Sequence, residues 1–432
     1  MRKRFPAILI VILGVGLLAV SVTALFPPAA PSAPVPHTGA LGTLDRKIAT
    51  AQAKLARREQ DPGTWAELGT AYVEKARITA NPSYYPKADG ALRTSLAQQP
   101  DANGLALIGM GALANARHDF TAARGWGERA RAVLPDTAAA YGVLADAYTQ
   151  LGDTAAATAA VQRMLDLKPG VSSFTRAAYD FELHGHVEQA RDTLERALAD
   201  AVDPGDIGFC RYRLGELAFD NGDLSTAARQ YRTGLVVVPE DPALAQGVAK
   251  VAAARGETAT ALAGYDNLVS RLPSTQYLQE YAVLLTAANR PEAARRQFTI
   301  IDQQERLLTA AGATDDLAAS LVAADRGDAS SALRHARAEW TRRQPVFAAD
   351  ALAWALHLSG RHADAITYAD RAAGLGWRNA TFAYHRGMIL AALGRDAEAI
   401  TALDEALRVN PHFSPVDVRV ARQTLSTLRG RR

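Results

Sequence analysis

A residue able to take a left-handed backbone, followed five positions later by alanine, recurs along most of this 432-residue chain. It occurs as Gly152–Ala157, Gly185–Ala190, Gly222–Ala227, Gly256–Ala261, Gly327–Ala332, Gly360–Ala365 and Gly394–Ala399. His118–Ala123 and Asn289–Ala294 keep the spacing with side chains that tolerate this backbone better than most non-glycines. Successive turns lie 34, 33, 37, 34, 33, 38, 33 and 34 residues apart. A period near 34, with an apolar-periodic stretch on each side of the turn, describes stacked helix pairs rather than a domain with one centre.

Each part of the period has a mechanical role. Glycine ends the first helix in a left-handed turn. Gly215 and Gly387, seven residues before the turns at 222 and 394, and the alanine five after each turn let the two helices approach closely. Leu214, Tyr231 and Leu235 in one unit, and Leu144, Tyr148 and Val161 in another, fill the space between helices. Pro100, Pro135, Pro169, Pro239, Pro273 and Pro411 stop the second helices. The alanine, leucine and arginine content favours helix throughout.

In "TWAELGTAYVEKA", Trp65, Leu68, Gly69 and Tyr72 resemble the opening of the tetratricopeptide repeat, and Ala88, Leu92 and Pro100 resemble its continuation after the extra "RITANPSYYPK" segment. The resemblance covers about residues 60–413 in ten helix pairs, some of them degenerate: the Gln276–Leu308 unit lacks its turn glycine. It implies an all-α, right-handed α-solenoid of about ten helix-turn-helix repeats with capping helices. The whole chain also resembles a group of bacterial anchored tetratricopeptide proteins with a similar "YYPKA" insertion, which implies no activity.

The expected organisation has five parts. Residues 1–26 form a basic stub and a transmembrane helix, 27–42 a proline-rich linker, 43–60 an N-terminal capping helix, 61–413 the solenoid and 414–432 a C-terminal capping helix with a basic tail. Arg2, Lys3 and Arg4 precede twenty uncharged, largely apolar residues from Ala7 to Phe26. That run is long enough to span a bilayer core of roughly 30 Å, and the cations before it keep the N-terminus cytoplasmic and the body outside. "VTA" at 22–24 also fits a signal-peptide cleavage site, which would release a secreted body. The five prolines of 27–42 favour an extended, semi-rigid spacer. Leu44, Ile48, Ala51 and Leu55 follow helical spacing and would cover the first repeat. Ser414 as N-cap, Pro415 at the first position and Asp417 three on from the cap start the last helix, and Gly430 stops it.

Setting aside the three N-terminal cations, acidic and basic residues balance at 45 each, which argues against nucleic acid as a partner. Cys210 is the only cysteine, so intramolecular disulfides and cysteine metal clusters are excluded. No HExxH, GxxxxGK[ST] or GxSxG motif is present. Beyond anchor, linker and caps, no sequence is left over for a catalytic domain, so neither catalysis nor a cofactor is expected. His184 and His186 flank a turn glycine, and His357 and His362 straddle another; turn placement makes all four exposed polar residues.

What remains is surface. Helix pairs that stack and curve line a concave face with their first helices. The outward side of those helices offers Tyr179, Phe209, Tyr212, Glu216, Phe219, Phe347, Asp350, Trp354, His357 and Tyr384 as a partner-binding groove. Aromatic side chains are effective interface anchors. Family members that grip a C-terminal carboxylate do so with lysine, asparagine and arginine on this face; here the matching positions hold Ala66, Gly142, Tyr212, Gln246 and Asp350, so binding of that kind is not expected. The sequence reads as a membrane-anchored, extracytoplasmic, non-catalytic scaffold or assembly factor that binds a protein or peptide. The alternative is a small-molecule or metal-delivery component using His184 and His186.

Overall fold

The computed structural model describes residues 40–431, within a compact unit spanning Thr38–Arg432. The span expected at 7–26 and most of the linker lie outside the described residues. Among the described residues no helix is long and apolar enough to cross a membrane, and every regular element is helical.

A first helix, α1 (Ala40–Arg57), precedes ten helix pairs. Repeats 1 to 5 are α2 (Pro62–Thr79) with α3 (Tyr84–Gln98), α4 (Gly104–Ala116) with α5 (Phe120–Val133), α6 (Ala138–Leu151) with α7 (Thr154–Leu167), α8 (Val171–Leu183) with α9 (Val187–Asp200), and α10 (Pro204–Asp220) with α11 (Leu224–Val237). Repeats 6 to 10 are α12 (Pro242–Ala254) with α13 (Thr258–Arg271), α14 (Thr275–Ala287) with α15 (Pro291–Ala310), α16 (Asp316–Asp325) with α17 (Ala329–Arg342), α18 (Val346–Leu358) with α19 (His362–Ala372), and α20 (Ala380–Ala392) with α21 (Asp396–Val409). The closing helix is α22 (Asp417–Gly430).

The turn residues do what the period requires. His118, Gly152, Gly185, Gly222, Gly256, Asn289, Gly327, Gly360 and Gly394 all have positive φ. An aspartate directly after the turn caps the next helix in several repeats: Asp119, Asp153, Asp223 and Asp328 each accept from a backbone N–H of the first turn. The nine alanines five residues past the turns are buried. A Cβ on Gly215 would fall well inside contact distance of the Tyr231 ring, and one on Gly387 would overlap Leu403. The helices of a pair therefore touch backbone to side chain. Tyr231, fully buried, occupies the slot between Gly215 and Gly247.

Both ends are covered. Ile48, Ala51 and Leu55 of α1 pack on Leu68 and Ala71 of α2, and Gln52 donates to the Tyr72 hydroxyl at 2.8 Å. At the other end Ala421, Leu425 and Leu428 of α22 join Tyr384, Leu403 and Ala406. Ser414 Oγ accepts from the Asp417 amide at 3.1 Å and donates to its carboxylate at 2.8 Å, but the regular helix starts only at Asp417, so Ser414 and Pro415 precede it rather than serving as N-cap and first helical residue.

Successive first helices pack on one another (α2 on α4, α10 on α12, α16 on α18), which puts them on the inside of the curve and the second helices outside. The curve is tight enough for the array to meet itself. The turn of each of repeats 2 to 5 lies on the junction that follows the repeat five further on. Thr314 N–H donates to the Arg117 carbonyl at 3.4 Å, beside a His118–Asp315 pair at 3.5 Å. Gly152 faces the Gln344 carbonyl, Gly185 the Gly376 carbonyl, and Gly222 Pro411 and the Val409 carbonyl. Arg343, 5 % exposed, lies between these levels. It donates to the Gln150 carbonyl at 3.3 Å and to the Gln150 and Glu339 side chains, with its guanidinium over the Phe120 and Phe347 rings. Asn410, 2 % exposed, donates to the Phe219 carbonyl at 2.9 Å.

The two irregular stretches of the sequence meet on this seam. The extra residues of repeat 1 place Tyr85 in a core with Val73, Met110 and Leu113. The 38-residue interval between turns lengthens α15 to 20 residues, and its end brings Leu308, Ala311 and Ala313 into that same core. The irregularities are thus two sides of one contact.

The seam separates two glycines with the same local backbone. Gly185 and Gly394 have φ of 76° and 71°, but only Gly185 is pressed against an opposing carbonyl, while nothing lies near Gly394. Alanine at either position pays the left-handed cost of about 1–2 kcal/mol. Gly185→Ala must in addition push Gly376 away. Urea unfolding should therefore show a clearly larger loss for Gly185→Ala than for Gly394→Ala; equal losses would mean the seam is not closed in solution.

Candidate functional site

The inner face carries a ladder of polar and aromatic side chains on α8, α10, α12 and α14. Glu182 accepts from Arg213 at 2.9 Å, and the Arg213 guanidinium lies over the Tyr179 ring at 5.5 Å. Glu216 accepts from Lys250 at 2.7 and 2.8 Å and from the Tyr231 hydroxyl at 2.5 Å. Glu280 accepts from Gln246 at 2.7 Å and from the Tyr265 hydroxyl at 2.9 Å. Tyr212 leans on Tyr231 with ring centroids 6.4 Å apart.

The ladder is surrounded by protein, and its charges show it. Burial pushes the Asp220 carboxyl up to about 7, with Lys250 acting against the shift and Glu216 adding to it. Burial and the nearby Asp417 raise Asp325 to about 6. Tyr179 is pushed up to about 12 by burial and by Glu182. For Lys250, burial works against the charged form, and Glu216, Asp220 and Glu280 together outweigh it, so its pKa is raised. These groups are held in one ionisation pattern by each other rather than by bulk water.

A second cluster occupies α18 and α20. Asp350 and His385, both buried, pair at 2.9 Å. Trp354 stacks on His385 at 4.1 Å and on His357 at 5.0 Å, and His357 Nδ1 lies 3.1 Å from His362 Nδ1. Burial, with His362 and His385 nearby, lowers the His357 pKa to about 4, so it is neutral at pH 7.

Of the ten residues expected to form one groove, Tyr179, Tyr212 and Glu216 share the first cluster, and Asp350, Trp354 and His357 the second. Phe347 lies under Arg343 at the seam. Phe219 and Tyr384 are core residues: Phe219 packs with Ala227, Tyr231 and Leu244, and Tyr384 with Phe413, Leu403 and Ala421. Phe209 is exposed but joins neither cluster. The sequence reading of His357 and His362 as exposed turn residues is corrected, since a stacked ladder half-buries both. His184 is likewise half-buried, with Nδ1 2.7 Å from the Asp180 carbonyl, while His186 is exposed. Among the described residues no group of three or more histidine, cysteine or carboxylate side chains is placed to hold a metal ion.

Arg213, Lys250, Glu182 and Glu280 escaped the sequence reading, although a signal existed. Tyr179 and Arg213, Glu182 and Glu216, Glu216 and Lys250, and Gln246 and Glu280 are each 34 residues apart, one repeat period. A cavity of about 710 Å³ also went unseen. It lies between α2, α4, α6 and α8 on one side and 273–275 with Gln304 and Leu308 on the other. Val73, Ile108, Val143 and Met164 give it an apolar wall, and its Asp146–Arg176 pair is bidentate at 2.7 Å.

The family model for the tetratricopeptide repeat matches residues 102–172, 212–275 and 351–412. These three stretches, a little under half of the chain, are tetratricopeptide repeats. Solved structures it is similar to include a tetratricopeptide repeat protein from Parabacteroides merdae, at 17% identity over 60% of this chain and 98% of that one, TM-score 0.36. The APC/C hetero-tetramer Cut9–Hcn1 is 12% identical over 90% of this chain and 94% of that one, TM-score 0.41. Yeast Tom70 is 11% identical over 90% and 93%, TM-score 0.37. No curated protein matches the chain in sequence.

His357 makes a pH prediction. Its folded pKa of about 4 lies below the ordinary 6.5, so the unfolded chain binds more protons between those values. The stability it contributes is present above pH 6.5 and is lost as pH falls through 4. His357→Gln should narrow the drop in unfolding midpoint between pH 7 and 4 relative to the parent, measured by thermal denaturation at both pH values.

Proposed function

We propose that this chain is a membrane-anchored, non-catalytic scaffold that holds a protein segment on the inner face of its solenoid. The repeat array provides the general role, a protein-interaction scaffold. The ladder on α8, α10, α12 and α14 carries the finer reading. Tyr179 and Tyr212, half-buried, stand among charges already oriented by their neighbours, so a partner meets a preorganised surface and little ordering cost is added on binding. The apolar run at 7–26 after Arg2, Lys3 and Arg4 supports an anchor with the solenoid on the extracytoplasmic side.

Tyr212→Ala trims a half-exposed ring and leaves Tyr231 seated between its glycines. Crosslinking in intact membranes followed by pull-down should recover a defined partner with the parent chain and several-fold less with Tyr212→Ala, at unchanged helicity. Equal recovery from both would reject this face. The mass of the mature chain reads the anchor directly: loss of the first two dozen or so residues would mean a cleaved signal and a released body.

A further inference from the structure

The seam uses two kinds of edge: the turn edge of repeats 2 to 5 and the junction edge that follows repeats 7 to 10. Each edge continues past the region where the chain covers it. The turn edge goes on through Gly256, Gly327, Gly360 and Gly394, which share the left-handed backbone of Gly152, Gly185 and Gly222 but have open space where those meet an opposing segment. The junction edge begins before the seam does, at the starts of α4 and α10 and the end of α11.

Apolar exposure follows this division. On the covered junctions Ala313, Val346, Val409 and Asn410 are buried. On the uncovered ones Val202 is 89% exposed and Val236 82%, with Leu105, Phe209 and Val237 exposed beside the same ends of their helices. Gly208 and Val238 are neighbours across α10 and α11, which places Phe209 and Val236–Val238 at one end of repeat 5. Along the free turn edge, Leu358 is exposed next to Gly360. Three of the four covered junctions are thus dry, the 373–379 stretch after repeat 9 being largely exposed, while the uncovered junctions after repeats 1, 4 and 5 carry exposed large apolar side chains.

The geometry points to a second copy of this chain as the occupant: the free turn edge of repeats 6 to 10 in one copy covers the free junction edge of repeats 1 to 5 in the next. The contact repeats between molecules the turn-on-junction arrangement that the seam makes within one. Because the two edges differ, the association is heterologous, head to tail, and extends beyond a dimer unless it closes into a ring. It does not depend on the inner-face partner.

The test uses the full chain in detergent, followed by sedimentation velocity over a concentration series. Two double variants change only exposed side chains: Val202→Asp with Val236→Asp on the junction edge, and Arg361→Glu with Arg395→Glu on the turn edge. The parent chain should form dimers and longer species as concentration rises. Each double variant should weaken association by at least about tenfold, with native circular dichroism. An equimolar mixture of the two should recover a dimer and nothing longer, since each contributes one intact edge. A parent chain that stays monomeric, a junction-edge variant that associates like the parent, or a mixture that fails to recover the dimer would each overturn the proposal.

Discussion

The close approach of the two helices in each pair sets everything else. An alanine buried to zero or near-zero exposure five residues past a left-handed turn, with first-helix glycines such as Gly215 and Gly387 filled by Tyr231 and Leu403, holds the pair at backbone-to-side-chain distance. Because successive first helices touch while second helices diverge, the small inner spacing becomes curvature. Curvature sustained over ten pairs brings the turn of one repeat onto the junction five repeats later. The seam, the inner ladder and the cavity are consequences of that one spacing.

Much of this was legible in the sequence because it is local. A glycine needed for positive φ, an aspartate needed to cap, and a proline needed to stop each act over a few residues. The second helices end two residues before Pro100, Pro135, Pro169, Pro239, Pro273 and Pro411, and every turn identified from spacing has the expected backbone. The N-terminal cap follows from the apolar periodicity of Leu44, Ile48, Ala51 and Leu55.

The seam was not legible, since it joins residues almost two hundred positions apart and involves no repeat consensus. Its traces in the sequence, the "RITANPSYYPK" segment and the 38-residue interval, read as degeneracy when each repeat is judged alone. The same limit explains the candidate groove. Helical periodicity tells which side of a first helix faces inward, but not how far the neighbouring repeat overlaps it. Phe219 is covered by the next repeat and Tyr384 by Phe413 and the closing helix, whereas Tyr212 and Tyr179 stay half-buried. Arg213, Lys250 and Glu182 become intelligible only once their partners one period away are known.

The closure of the superhelix is therefore the central claim, and a distance across the seam tests it most directly. Spin labels on cysteines replacing the exposed Thr121 and Arg342 would sit on opposite sides of the pocket that Phe120 and Arg343 bridge. Cys210 is buried, and burial pushes its thiol up to about 11, so it stays unlabelled. Pulsed dipolar spectroscopy of the full chain should give one short, narrow distance distribution. A broad distribution centred at long distance would show an open superhelix and contradict the account.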